Sequence, residues 1–154
     1  YGYDRFFARC ASAGISGIIV PDMPLEEKGE VADIAAKRGV DVISLIAPTS
    51  KERIAKIAKS ATGYIYIVSS MGVTGMRSEI TTDLESIVRV VKENTSVPAA
   101  IGFGINTPEQ AKKYAGIADG VIVGSAIVKI IEKYGENAAE PVYNYVKEMA
   151  DAVK

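Results

Sequence analysis

Apolar residues along this chain recur in two alternating spacings. At three and four residues apart they mark one face of a helix; in short unbroken runs of Ile and Val they mark buried strands. Asp4 to Ala13 reads as a helix, with Phe6, Phe7 and Cys10 on one face and Gly14 as its stop. Gly17 to Val20 is a short apolar run ending at Pro21-Asp22. Glu26 to Arg38 is helical, with Val31, Ile34 and Ala35 on one face, and Val40 to Ala47 is the next strand. Ser50 to Ser60 turns Ile54, Ile57 and Ala58 inward; Tyr64 to Ser69 is a third strand. Asp83 to Glu93 aligns Leu84, Ile87, Val88 and Val91. Pro98 to Gly102 and Gly120 to Val123 are the fourth and fifth strands. Thr107-Pro108-Glu109-Gln110 between them is a helix start, with a capping Thr, a first-turn Pro and Gln at the capping-box position. A short helix from Ser125 and a longer one from Ala138 close the pattern.

Five Ile- and Val-rich strands alternating with helices imply βα units on a parallel sheet, in one α/β domain over residues 1–154. Two architectures fit. One is an open doubly wound sheet. The other is part of a (β/α)8 barrel, which needs eight strands and about 250 residues. The chain opens Tyr1-Gly2-Tyr3-Asp4, without an initiator Met, and enters a helix at once, which reads as the middle of a longer protein.

Composition removes whole classes of chemistry. The chain has no His, so Ser-His-Asp and Cys-His nucleophiles and His-ligated metals are excluded. Its single cysteine, Cys10, can form no intrachain disulfide and reads as a buried thiol. Lys and Arg total 18 against 19 Asp and Glu, with no basic cluster for nucleic acid or an anionic membrane. No apolar run approaches the ~18 residues of a membrane span, and the first residues do not read as a signal peptide. A cytoplasmic location is expected.

The candidate chemistry lies in three glycine features at strand C-terminal ends. They are Gly72-Val73-Thr74-Gly75, Gly102-Phe103-Gly104 and Gly124-Ser125. In parallel α/β folds this end of the sheet is the binding face. Glycine there lets backbone amides approach a ligand, and Gly124-Ser125 opens a helix whose free N–H groups favour an anion. The combined arrangement resembles the phosphate cup formed by the last two strands of a barrel, which needs no Lys or Arg.

Six stretches carry a family resemblance. They are Val20-Pro21-Asp22-Met23-Pro24-Leu25-Glu26-Glu27, Leu45-Ile46-Ala47-Pro48-Thr49, Tyr64-Ile65-Tyr66, Gly72-Val73-Thr74-Gly75, Gly102-Phe103-Gly104-Ile105 and Gly124-Ser125-Ala126-Ile127-Val128. In this order they resemble the tryptophan synthase alpha chain family over the whole sequence. The resemblance implies a TIM barrel, of which this chain holds only the last five βα units, strands four to eight. It implies a retro-aldol lyase that cleaves indole-3-glycerol phosphate to indole and glyceraldehyde 3-phosphate, with no cofactor and no metal of its own. The PLP belongs to a beta chain, the partner in an alpha2-beta2 assembly.

By the same resemblance Gly75, Gly104, Gly124 and Ser125 hold the phosphate, and Ile19, Tyr66, Phe103 and Ile122 line the indole. Thr74 and Arg77 belong to a lid, and Asp22, Met23 and Pro24 to the loop facing the beta chain, where Met23 and Leu25 are expected to expose apolar surface. The family's catalytic Glu and Asp sit at and after its second strand, a region outside these 154 residues. Asp22 and Glu26 match a different loop. The chain alone is therefore expected to be inactive or nearly so, and its open sheet edge to invite self-association. Two alternatives remain: another phosphate-binding barrel enzyme, disfavoured by the lack of His and of a strand-end Lys, and a non-catalytic phosphate-binding α/β module.

Overall fold

The computed structural model describes residues 1–69 and 83–154. Five strands run parallel: β1 (Gly17–Ile19), β2 (Asp41–Ile46), β3 (Ile65–Val68), β4 (Ala99–Gly102) and β5 (Gly120–Val121). They lie side by side in chain order, β1-β2-β3-β4-β5. A doubly wound sheet reverses its strand order at a switch point. Among the described strands there is no reversal. With right-handed crossovers, unidirectional winding puts every connecting helix on the same side of the sheet. That is the wall of a barrel, and the doubly wound alternative is set aside.

Register shows the sidedness directly. Ser44 pairs with Ile65 and Ile65 with Ala99; Ile46 pairs with Ile67, Ile67 with Ile101 and Ile101 with Val121. Paired residues point to the same face, and the face alternates along each strand. This set, except Ser44, packs with α3 (Lys51–Lys59), α4 (Leu84–Asn94), α5 (Pro108–Ala115) and α7 (Ala139–Ala152) in one hydrophobic cluster. A second cluster joins Val42 and Ile18 to α1 (Tyr3–Ser12) and α2 (Gly29–Ala36) through Phe7, Cys10, Val31 and Ala35. The opposite set, Ile19, Ile43, Leu45, Tyr66, Val68, Ala100 and Ile122, belongs to neither cluster. One face of the sheet is thus covered by helices, and the other would be the interior of a closed barrel.

The helices are placed by local chemistry. Ser50, Asp83 and Thr107 cap α3, α4 and α5, each accepting a hydrogen bond from the first turn. Thr107 and Gln110 form the full capping box, with Pro108 in the first turn. The four inward residues of α4, Leu84, Ile87, Val88 and Val91, are all buried. Two expectations need correction. Phe6 does not share the buried face of Phe7 and Cys10; it is 42% exposed and meets the Phe7 ring edge-on, with centroids 5.2 Å apart. The second helix begins only at Gly29, because residues 24–28 follow Pro24 in tighter turns, with Glu27 N–H donating to the Pro24 carbonyl and Lys28 N–H to that of Leu25.

Candidate functional site

The sheet's carboxyl end is organised by an unusual turn after β4. Phe103 has φ 74° and Gly104 φ 77°. The left-handed region suits glycine but costs another residue roughly 1–2 kcal/mol. Neighbouring side chains hold the turn. Ser69, 0% exposed at the end of β3, donates its hydroxyl to the Phe103 carbonyl, while its amide donates to the Gly102 carbonyl at 3.0 Å. Asn106 Nδ2 donates to the Gly104 carbonyl at 2.9 Å. Tyr145 Oη, from α7, donates to the Asn106 carbonyl at 2.9 Å. Gln110 Oε1 accepts from the Asn106 amide at 2.9 Å.

Beside this turn lies the face that none of the described helices covers. Ile19 pairs with Ile43, Leu45 with Tyr66, Tyr66 with Ala100 and Ala100 with Gly120. Alternation therefore puts Ile19, Tyr66 and Ile122 on one surface. Ile122 extends the β4–β5 ladder, its amide donating to the Ile101 carbonyl at 2.8 Å. Ile19 is 44% exposed, and Tyr66 and Ile122 are half-buried. The Phe103 ring meets Tyr66 edge-on, with centroids 6.0 Å apart and planes at 74°. The Tyr66 ring lies directly over Gly102, where a methyl group would come within 2.2 Å of its Oη. Burial pushes the Tyr66 phenol above its ordinary range, the neighbouring Tyr64 adds to this, and a backbone hydrogen bond from Phe103 opposes it. The result is an aromatic corner beneath the Gly104 turn.

After β5, Gly124 precedes α6 (Ser125–Tyr134). Unlike α3, α4 and α5, this helix has no side-chain cap and no acidic residue in its first turn. Gly124 and Ser125 are exposed, and among the described residues, its chain neighbours aside, no atom lies within 4 Å of where a Gly124 side chain would begin. Crowding among the described residues does not demand glycine here.

The loop after β1 is stiffened from two directions. Arg53 forks onto Glu26, with nitrogen–oxygen distances of 2.9 and 3.1 Å. The guanidinium holds the Glu26 carboxyl down at about 2. Lys28 reaches between helices and sheet, donating to Ser44 Oγ at 2.8 Å and to the Ser60 carbonyl at 2.9 Å. Desolvation lowers the Lys28 amine, and the nearby Asp41 charge partly restores it. Asp22 and Pro24 are exposed. Met23 and Leu25, expected to present apolar surface, are half-buried and pack against the two hydrophobic clusters.

Gly75, Thr74 and Arg77, named from the sequence, lie outside the described residues. Among the described residues, no helix is long and apolar enough to cross a membrane, and no group of three or more Cys, Asp or Glu could hold a metal ion. Sequence reasoning missed Ser69, Asn106 and Tyr145. A serine after an apolar strand and a tyrosine on a terminal helix carry no signal until the fold brings them to the turn.

Comparison with known proteins agrees with this architecture. The family model described as tryptophan synthase alpha chain matches residues 1–154. The tryptophan synthase alpha chain of Lacticaseibacillus casei is 52% identical over 153 residues, covering 99% of this chain and 58% of the relative. A variant of the Pyrococcus furiosus alpha-subunit superposes with a TM-score of 0.83 at 34% identity, over 97% of this chain and 61% of that one. The alpha subunit from Campylobacter jejuni gives 0.82 at 32% identity, over 97% of this chain and 59% of that one. The chain therefore spans a little over half the length of the relatives it matches, and its five strands are a partial (β/α)8 barrel. It belongs to the tryptophan synthase alpha chain family.

Proposed function

We propose that this chain is the substrate-holding part of a tryptophan synthase alpha chain, a lyase of tryptophan biosynthesis acting on indole-3-glycerol phosphate. The observation that carries the reading is the aromatic corner of Tyr66 and Phe103 directly under the left-handed Gly104 turn. Such a site offers a flat apolar wall to an indole ring beside backbone amides suited to a phosphate.

In this reading Gly104, Gly124 and Ser125, with Gly75, bind the phosphate. The uncapped start of α6 supplies free N–H groups and the positive end of a helix dipole. Ile19, Tyr66, Phe103 and Ile122 hold the indole. Thr74 and Arg77 close over it, and Asp22, Met23 and Pro24 face the PLP-containing beta chain in an alpha2-beta2 assembly. The reading assigns no cofactor or metal to this chain and places it in the cytoplasm.

Retro-aldol cleavage needs a proton delivered to indole C3, stabilisation of the indole N–H as charge develops, and a base for the glycerol hydroxyl. By resemblance, the groups that do this belong to earlier strands. The 154-residue chain alone accordingly binds substrate and does not turn it over. The test is paired: calorimetric titration with indole-3-glycerol phosphate, and an assay for released indole. Saturable binding without indole is expected. No binding refutes the site, and steady indole release refutes the division of labour.

A further inference from the structure

The turn after β4 is held by its carbonyls. Ser69 takes that of Phe103, Asn106 that of Gly104 and Tyr145 that of Asn106. A trans peptide unit is planar, with its C=O and N–H pointing in opposite directions. Fixing the Phe103 carbonyl on buried Ser69 therefore turns the Gly104 N–H away from the core. Fixing the Gly104 carbonyl on Asn106 likewise sets the plane of the Gly104–Ile105 peptide, with the Ile105 N–H opposite the Asn106 amide. Neither amide donates to a backbone carbonyl among the described residues. Nothing intrinsic to phenylalanine favours φ 74°, so the orientation depends on what grips the carbonyl. Ser69 is well placed to do this, because its own amide is locked to Gly102.

We propose that Ser69 is a positioning residue for anion binding: it sets the plane of the Phe103–Gly104 peptide so that the Gly104 N–H faces the ligand, and Tyr145 braces the same turn from α7. The proposal rests on the phosphate reading above and adds to it the residues that orient the donor. Ser69 touches no ligand itself. A purely structural serine would lower stability when changed but leave the affinity of the folded protein as it was.

The test is an amide-resolved NMR titration of the full 154-residue chain with inorganic phosphate, at constant ionic strength and well below the melting temperature. In the unsubstituted chain the Gly104 amide shifts with phosphate. In Ser69→Ala the dissociation constant rises roughly tenfold, the worth of one hydrogen bond to a charged group. Tyr145→Phe removes a single hydroxyl from a half-buried site and raises it by a smaller factor, roughly threefold. This second variant carries the test if Ser69→Ala does not fold. Folded variants that bind phosphate as tightly as the unsubstituted chain overturn the proposal. An unsubstituted chain whose Gly104 amide ignores phosphate overturns the phosphate reading and this proposal with it, an outcome distinct from the first.

Discussion

Replacing Gly102 with alanine tests the aromatic corner most severely. The new methyl would lie 2.2 Å from Tyr66 Oη, 2.4 Å from Cζ and 2.6 Å from Cε1. Ordinary carbon contacts are ~3.5–4.0 Å, so the overlap exceeds about 1 Å and one group must move. The backbone of β4 is held by its ladder to β3, and Gly102 has no positive φ that alanine would resist. The Tyr66 ring therefore swings off the strand into the uncovered face. That breaks its edge-on contact with Phe103, worth ~0.5–1.5 kcal/mol. It also exposes part of a half-buried ring, on the order of 50 Å² or ~1.3 kcal/mol at ~25 cal/mol per Å². The sum, ~2–3 kcal/mol, falls within the usual ~1–3 kcal/mol cost of overpacking. For a chain of this size it lowers the melting temperature by roughly 4–10 °C.

The double substitution separates a Tyr66 clash from generic damage. With Tyr66→Ala already present the obstruction is gone, and Gly102→Ala becomes neutral or slightly stabilising through reduced unfolded-state entropy. The coupling energy between the two sites is ~1–3 kcal/mol. Thermal melts of the four proteins measure it, and Tyr66–Phe103 cross-peaks in NOE spectra report the ring directly. Additive effects, or cross-peaks that survive in Gly102→Ala, would show that the Tyr66 ring does not block this position.

Three further outcomes follow from other parts of the fold. Thr107→Ala removes one half of the α5 capping box and lowers stability by about 1 kcal/mol in urea denaturation; an unchanged midpoint would count against the cap. Glu26 titrates at about 2 when folded against 4.5 as its ordinary value, so its pairing with Arg53 is fully present above pH 4.5 and lost as pH falls towards 2. Arg53→Met should therefore lower the melting temperature at pH 6 but not at pH 2, by a small margin that 0.5 M salt (roughly a 4 Å Debye length) reduces further, because the pair is exposed. Sedimentation at rising concentration should reveal self-association, since among the described residues β1 and β5 each have one unpaired edge and the face between them carries no helix; a monomer at all concentrations would contradict it.

Much of this molecule is legible in its sequence wherever one element's periodicity decides the outcome. The buried faces of α3 and α4 follow from Ile54, Ile57 and Ala58 and from Leu84, Ile87, Val88 and Val91, because helical spacing fixes which residues share a side. Thr107 to Gln110 signals its own helix start. Legibility fails where partners are distant in the chain. The region around Glu26 reads as helix by pattern, yet Glu26 is tied to Arg53 and Lys28 to Ser44 and Ser60, and regular helix begins only after them. Gly102, Phe103 and Gly104 stand out as a strand-end motif. The hydroxyls that orient the turn come from Ser69, 34 positions before Phe103, and from Tyr145, 39 positions after Asn106. No local pattern announces such pairs.

On the proposed function, this chain holds the substrate's phosphate and indole and lacks the acids that break it. The most direct measurement mixes purified chain with indole-3-glycerol phosphate, follows the Gly104 and Tyr66 resonances, and assays the same sample for indole. Saturable shifts at both residues and no indole above the uncatalysed background are expected. Resonances that do not move, or indole that accumulates in proportion to the chain, would contradict it.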